Sequence, residues 1–116
     1  MIKNKNHVLN YFVQIGKLSN KINKKQIEKL ATSLANIRKR KGRVFFIGVG
    51  GSAGNCSHAV NDFRKICEIE SYTPTDNVSE LTARINDDGW ESAFSNWLKV
   101  SKLNSNDAIF IMSVGG

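Results

Sequence analysis

Two groups of residues in this sequence have types and spacings that could do chemistry. The first is the turn Gly48-Val49-Gly50-Gly51-Ser52, which follows the apolar run 44–47. Glycines let the backbone turn tightly and come close to a ligand. The N–H groups that open the next helix, with the positive end of its dipole behind them, suit a phosphate. The second group is His58 and Asp62. Four residues apart, they share one face of a helix and could bind one metal ion or work as an acid–base pair. Aldose–ketose isomerisation needs a base to move a proton between adjacent carbons and something to polarise the carbonyl. A carboxylate can do the first, and a metal or a neutral or cationic donor the second. Each group also has an ordinary reading: a tight strand–helix turn without a ligand, and a surface or packed histidine with a solvated acid beside Arg64 or Lys65. From spacing alone, the ordinary reading of the His–Asp pair has the better claim.

These residues need elements to hold them. The run 44–47, breaking into glycines and followed by helical spacing from about residue 53, reads as a buried parallel strand feeding a crossover helix. Strand then small-residue turn recurs: the apolar run 108–112 leads into Ser113-Val114-Gly115-Gly116. In open parallel sheets ligands sit beyond the carboxyl ends of strands, where the topology switches sides. The two turns would then wall one anion pocket, with Ser52 and Ser113 supplying hydroxyls. The helix that should follow the second turn is not in the sequence, so the expectation is the N-terminal part of a longer domain. Between the two runs, 70–73 is extended and stopped by Pro74, the one proline. Thr75-Asp76-Asn77 offers cap chemistry for a short helix over 78–85. Asn86-Asp87-Asp88-Gly89 reads as a loop. A helix over 90–101 then carries Trp90, Phe94 and Trp97 at spacing that fits core better than a sugar-stacking platform.

Two amphipathic helices, about 5–20 and 24–41, precede the first strand. Val8, Phe12, Ile15 and Leu18 stripe one; Ile27, Leu30, Ala31, Leu34 and Ile37 stripe the other. The run RKRK in its last turn suits the helix dipole, and Gly42 is placed to C-cap it. Together they hold more apolar surface than one short sheet need cover. The expectation is a helical hairpin over 1–42 that packs on a partner subunit as well as on its own domain, followed by the sheet over 43–116.

Composition narrows the classes. At 116 residues the chain is one domain at most. Its net charge of +7 is unevenly spread: residues 1–41 hold eleven Lys or Arg and one acid, Glu28, while 42–116 hold six basic and nine acidic groups. Nucleic-acid binding is the sharp reading of that asymmetry, but no nucleic-acid motif accompanies it, and a solvated helix face fits better. No apolar run has the length of a signal-peptide core or a membrane span, which argues against a membrane partner. Cys56 and Cys67, eleven positions apart on one helix, cannot pair there. They read as buried structural thiols in a reduced, cytoplasmic setting. His7 reads as a surface residue.

The motif GVGGSAGNCSHAVNDF resembles GNGGSAADAQHFAAEL, a signature of phosphoheptose isomerases in the sugar isomerase (SIS) domain superfamily. INDDGWESAF is similar to that family's GNDFGFNDIF, and SVGG to the start of STSGNS, so the resemblance covers the whole chain. It implies a three-layer αβα, flavodoxin-like parallel sheet preceded by a helical hairpin. It also implies a cytoplasmic homo-oligomer, a tetramer or a dimer. The implied reaction converts sedoheptulose 7-phosphate to D-glycero-D-manno-heptose 7-phosphate, in an active site between subunits. Carried over by position, the sugar-phosphate contacts fall on Val49, Gly50, Gly51 and Ser52, on Asn86 and Asp87, and on Ser113, Val114 and Gly115. The metal ligands fall on His58 and Asp62, with Asp62 also the acid/base. The resemblance makes zinc possible, through a site whose remaining glutamine and histidine lie beyond Gly116. Three positions depart from the family: Val49 replaces asparagine, Asp62 glutamate and Gly115 serine. They keep a second reading open, a non-catalytic SIS-domain protein that binds or senses a sugar phosphate.

Overall fold

The computed structural model describes residues 6–115. In order they form α1 (His7–Lys21), α2 (Lys24–Lys39), β1 (Val44–Gly48), α3 (Gly51–Lys65), β2 (Ser71–Tyr72), a single 3-10 turn (Pro74–Asp76), α4 (Val78–Asp88), α5 (Trp90–Val100) and β3 (Ala108–Met112). Lys5 and Gly116, expected at the ends of the first helix and of the last turn, lie outside the described residues. No described helix is long and apolar enough to cross a membrane.

The chain divides into two compact units, one ending at Thr32 and the other beginning at Ser33. In the first, α1 has the predicted stripe, yet none of its side chains is buried: Val8, Phe12 and Leu18 are 64–66% exposed. Ile27 and Leu30 on α2 are exposed as well. Asn23 starts α2 by accepting a hydrogen bond from the Gln26 N–H at 3.2 Å, the local bond that favours asparagine at a helix start.

The second unit is built on a parallel sheet in the order β2-β1-β3. Strand β1 is apolar at every position but its last because it is central and covered on both faces. Its alternate side chains point opposite ways. On one face Val44 and Phe46 join Cys56 and Val60 of α3 and Ile37 of α2, with the Phe46 ring 4.9 Å from that of Phe63. On the other, Phe45 meets Trp97 of α5 edge-to-face at 5.6 Å. The result is the expected helix–sheet–helix sandwich with a flavodoxin-like strand order.

The amino ends of β1 and β3 are tied by one ion pair. The Arg43 guanidinium reaches Asp107 at 2.7 Å and donates to the carbonyls of Ser101 and Lys102 at 2.9 and 3.0 Å. Asp107, whose side chain is 2% exposed, also accepts the N–H groups of Arg43 and Asn104.

Several local expectations are corrected. Helix α3 begins at Gly51, inside the glycine turn, because Gly50 at φ 59 makes the sharp change of direction itself. Helix α4 runs on to Asp88, so Asn86 and Asp87 are in its last turn and not in a loop; the chain breaks only at Gly89, φ 82. The left-handed residue after α2 is Lys41, φ 57, not Gly42. The Lys41 and Gly42 N–H groups bond back to Arg38 and Ile37, the pattern of a Schellman end. Trp90 is 50% exposed and leans on Phe94 instead of entering the core.

Candidate functional site

The register of the sheet brings the two small-residue turns together. Gly48 of β1 is level with Met112 of β3, so both turns leave adjacent parallel strands at the same height. Between them lies a cavity of about 730 Å³, lined among others by Val49, Gly51, Ser52, Asn55, Ser113 and Val114. Its position beyond the carboxyl ends of β1 and β3 is the switch point of this strand order, where open α/β sheets take their ligands.

Local packing explains why the turn has these residues. A Cβ on Gly48 would come within 2.7 Å of the Ser52 carbonyl oxygen and 2.9 Å of the Cys56 sulfur. Only a glycine lets the first turn of α3 settle on the strand end. That packing buries Cys56, and burial pushes its thiol up from its ordinary pKa, which suits an inert filler. Ser52 is buried at the base of the cavity. The turn also uses part of the amide set expected to face a ligand. The Ser52 and Ala53 N–H groups bond back to the carbonyls of Val49 and Gly50, at 3.1 and 3.0 Å.

His58 and Asp62 meet across one turn of α3, with Nε2 and Oδ2 3.3 Å apart. Their side chains are 77% and 42% exposed, so the pair stands on the open face of the helix and does not line the cavity. They are two donors. Among the described residues no group of three His, Cys, Asp or Glu is close enough to hold a metal ion. Zinc takes at least three protein ligands, so the described residues do not by themselves fit it.

The remaining sequence candidates separate. Gly50 and Gly115 belong to the two turns without lining the cavity, and Asn86 and Asp87 do not line it either. The Asn86 amide instead donates to Asp87 at 3.0 Å. Sequence reasoning passed over Asn55, which lines the cavity. The signal was there: Asn55 follows Ser52 by three residues, so extending the helix face from the turn would have found it.

No protein-family model matches the sequence, and no curated protein matches it. Among solved structures, the chain is similar to phosphoheptose isomerase GmhA from Neisseria gonorrhoeae, with a TM-score of 0.80 at 22% identity over 95% of this chain. The chain spans 61% of the length of that protein. The likeness shows the fold alone: this chain folds as the matching part of that α/β protein does.

Proposed function

We propose that the protein is a sugar-phosphate isomerase that interconverts sedoheptulose 7-phosphate and D-glycero-D-manno-heptose 7-phosphate. The observation that carries this reading is the cavity between the paired strand ends, with Ser52 on one turn and Ser113 on the other. The phosphate sits between the turns, and the sugar runs along α3 toward His58 and Asp62. The Asp62 carboxylate takes the proton from the carbon beside the carbonyl and returns it to the former carbonyl carbon. His58 gives a proton to the carbonyl oxygen as charge builds there, and takes one back from the neighbouring hydroxyl as that carbon becomes the new carbonyl. The exposed stripe of α1 supports a homo-oligomer in which a second copy covers it.

Titrating sedoheptulose 7-phosphate into the wild type and a Ser52→Ala, Ser113→Ala double variant tests the site. Loss of two hydrogen bonds to a charged ligand, about 1.5 kcal/mol each, is expected to weaken binding by about a hundredfold. Equal affinities would remove the phosphate from this cavity.

A second reading has its own support. Among the described residues no ionisable side chain lines the cavity, and Val49 and Val114, which border it, are 58% and 99% exposed. Such a wall suits a protein that holds a sugar phosphate without turning it over. An isomerase assay separates the two: binding without turnover favours the sensor.

A further inference from the structure

We propose that Asn55 is the specificity-determining residue of the cavity. It holds a hydroxyl of the sugar between the phosphate turns and the His58–Asp62 pair, an inference that rests on the sugar-phosphate reading above. Asn55 shares the cavity wall with Ser52. Its side chain is exposed, and its amide makes no hydrogen bond among the described residues. Asn77 and Asn86 of this unit, in contrast, are committed within the fold: Asn77 accepts the Glu80 N–H, and Asn86 donates to Asp87.

The helix sets the rest of the geometry. At about 100° per residue, Asn55, His58 and Asp62 fall within about 60° of arc on one face of α3. The rise from Asn55 to Asp62 is about 10 Å. A seven-carbon sugar anchored by its phosphate near Ser52 therefore passes Asn55 before its carbonyl comes near Asp62. A carboxamide both donates and accepts, so it can take a hydroxyl in either sense. Being neutral, it adds no unpaired charge to a cavity whose other lining residues carry none.

The test uses two probes on the same protein: sedoheptulose 7-phosphate and inorganic phosphate. Asn55→Ala is expected to weaken the sugar phosphate about two- to tenfold and to leave inorganic phosphate unchanged. Ser52→Ala should weaken both. Alanine is the best helix former, so the variant keeps α3 and a loss of binding does not report unfolding. If Asn55→Ala leaves the sugar phosphate unchanged, or weakens inorganic phosphate equally, the inference is wrong while the cavity stays a phosphate site. If the wild type binds neither probe, the phosphate reading falls and the inference with it.

Discussion

Residues 6–32 and the unit that begins at Ser33 follow the same sequence rule and reach opposite outcomes. Both carry apolar residues at helical spacing. In α3, Cys56 and Val60 are buried against β1, whereas no residue of α1 is buried. What differs is the presence of a strand. The run Val44-Phe45-Phe46 offers an apolar surface on two sides, and helices before and after it in the chain find a face to cover. Among the described residues the first unit contains no strand. Periodicity thus names the face of a helix that is to be buried; it does not name what buries it.

The sharpest way to break this contrast is to remove the two-sided surface. Phe46 is 1% exposed, with the rings of Phe63 and Phe110 at 4.9 and 5.4 Å. Phe46→Ala should cost about 3–5 kcal/mol in denaturant unfolding, because the cavity adds to the lost transfer energy. A cost below about 1 kcal/mol would mean that the core does not sit on this strand.

Next in size is the Arg43–Asp107 pair. Asp107→Ala near neutral pH should cost about 3 kcal/mol, the low end for a buried pair, since Arg43 keeps 21% exposure and can rehydrate. Burial alone pushes the Asp107 carboxyl up. The bonds from Arg43 and the Asn104 N–H outweigh it and leave the group below its ordinary carboxylate value. A depressed folded pKa stabilises above the unfolded-chain value of about 3.9, and that part is lost as pH falls through the lower folded value. The gap between wild type and Asp107→Ala should therefore narrow below about pH 4. A gap that stays constant down to acid pH would show that the ion pair adds nothing.

Much of this was legible in the sequence, and the exceptions have two causes. The runs 44–47 and 108–112 announce strands because they are apolar without interruption, and the glycine turn marks where the first one ends. The pairing of His58 with Asp62 follows from a spacing of four. The sequence could not tell that Asn86 and Asp87 are helical, since asparagine, aspartate and glycine in a row also make turns, and only Gly89 takes the left-handed conformation. Nor could it show that Gly42 answers to the carbonyl of Asn106, 64 residues away, with Lys41 taking the strained position. At Asn86 the local signal fits two conformations; at Gly42 the demand comes from distant backbone and leaves no local signal.

That distinction can be tested by making one substitution in both regions. A Cβ on Gly42 would stand 1.8 Å from the Asn106 carbonyl oxygen, and backbone must move to admit it. Gly42→Ala should therefore destabilise by about 1–3 kcal/mol, as overpacking does. Gly16 lies within α1 and has nothing within 4 Å of a Cβ placed there. Glycine inside a helix costs about 0.5–1 kcal/mol relative to alanine, through the backbone freedom it has when unfolded. Gly16→Ala should therefore strengthen α1 by that amount, read as slower amide hydrogen exchange along His7–Lys21. The same methyl group would stabilise one helix and strain the loop after the other. Two losses of similar size would mean that the backbone around Gly16 is as crowded as that around Gly42, and the contrast between the regions would lose its physical basis.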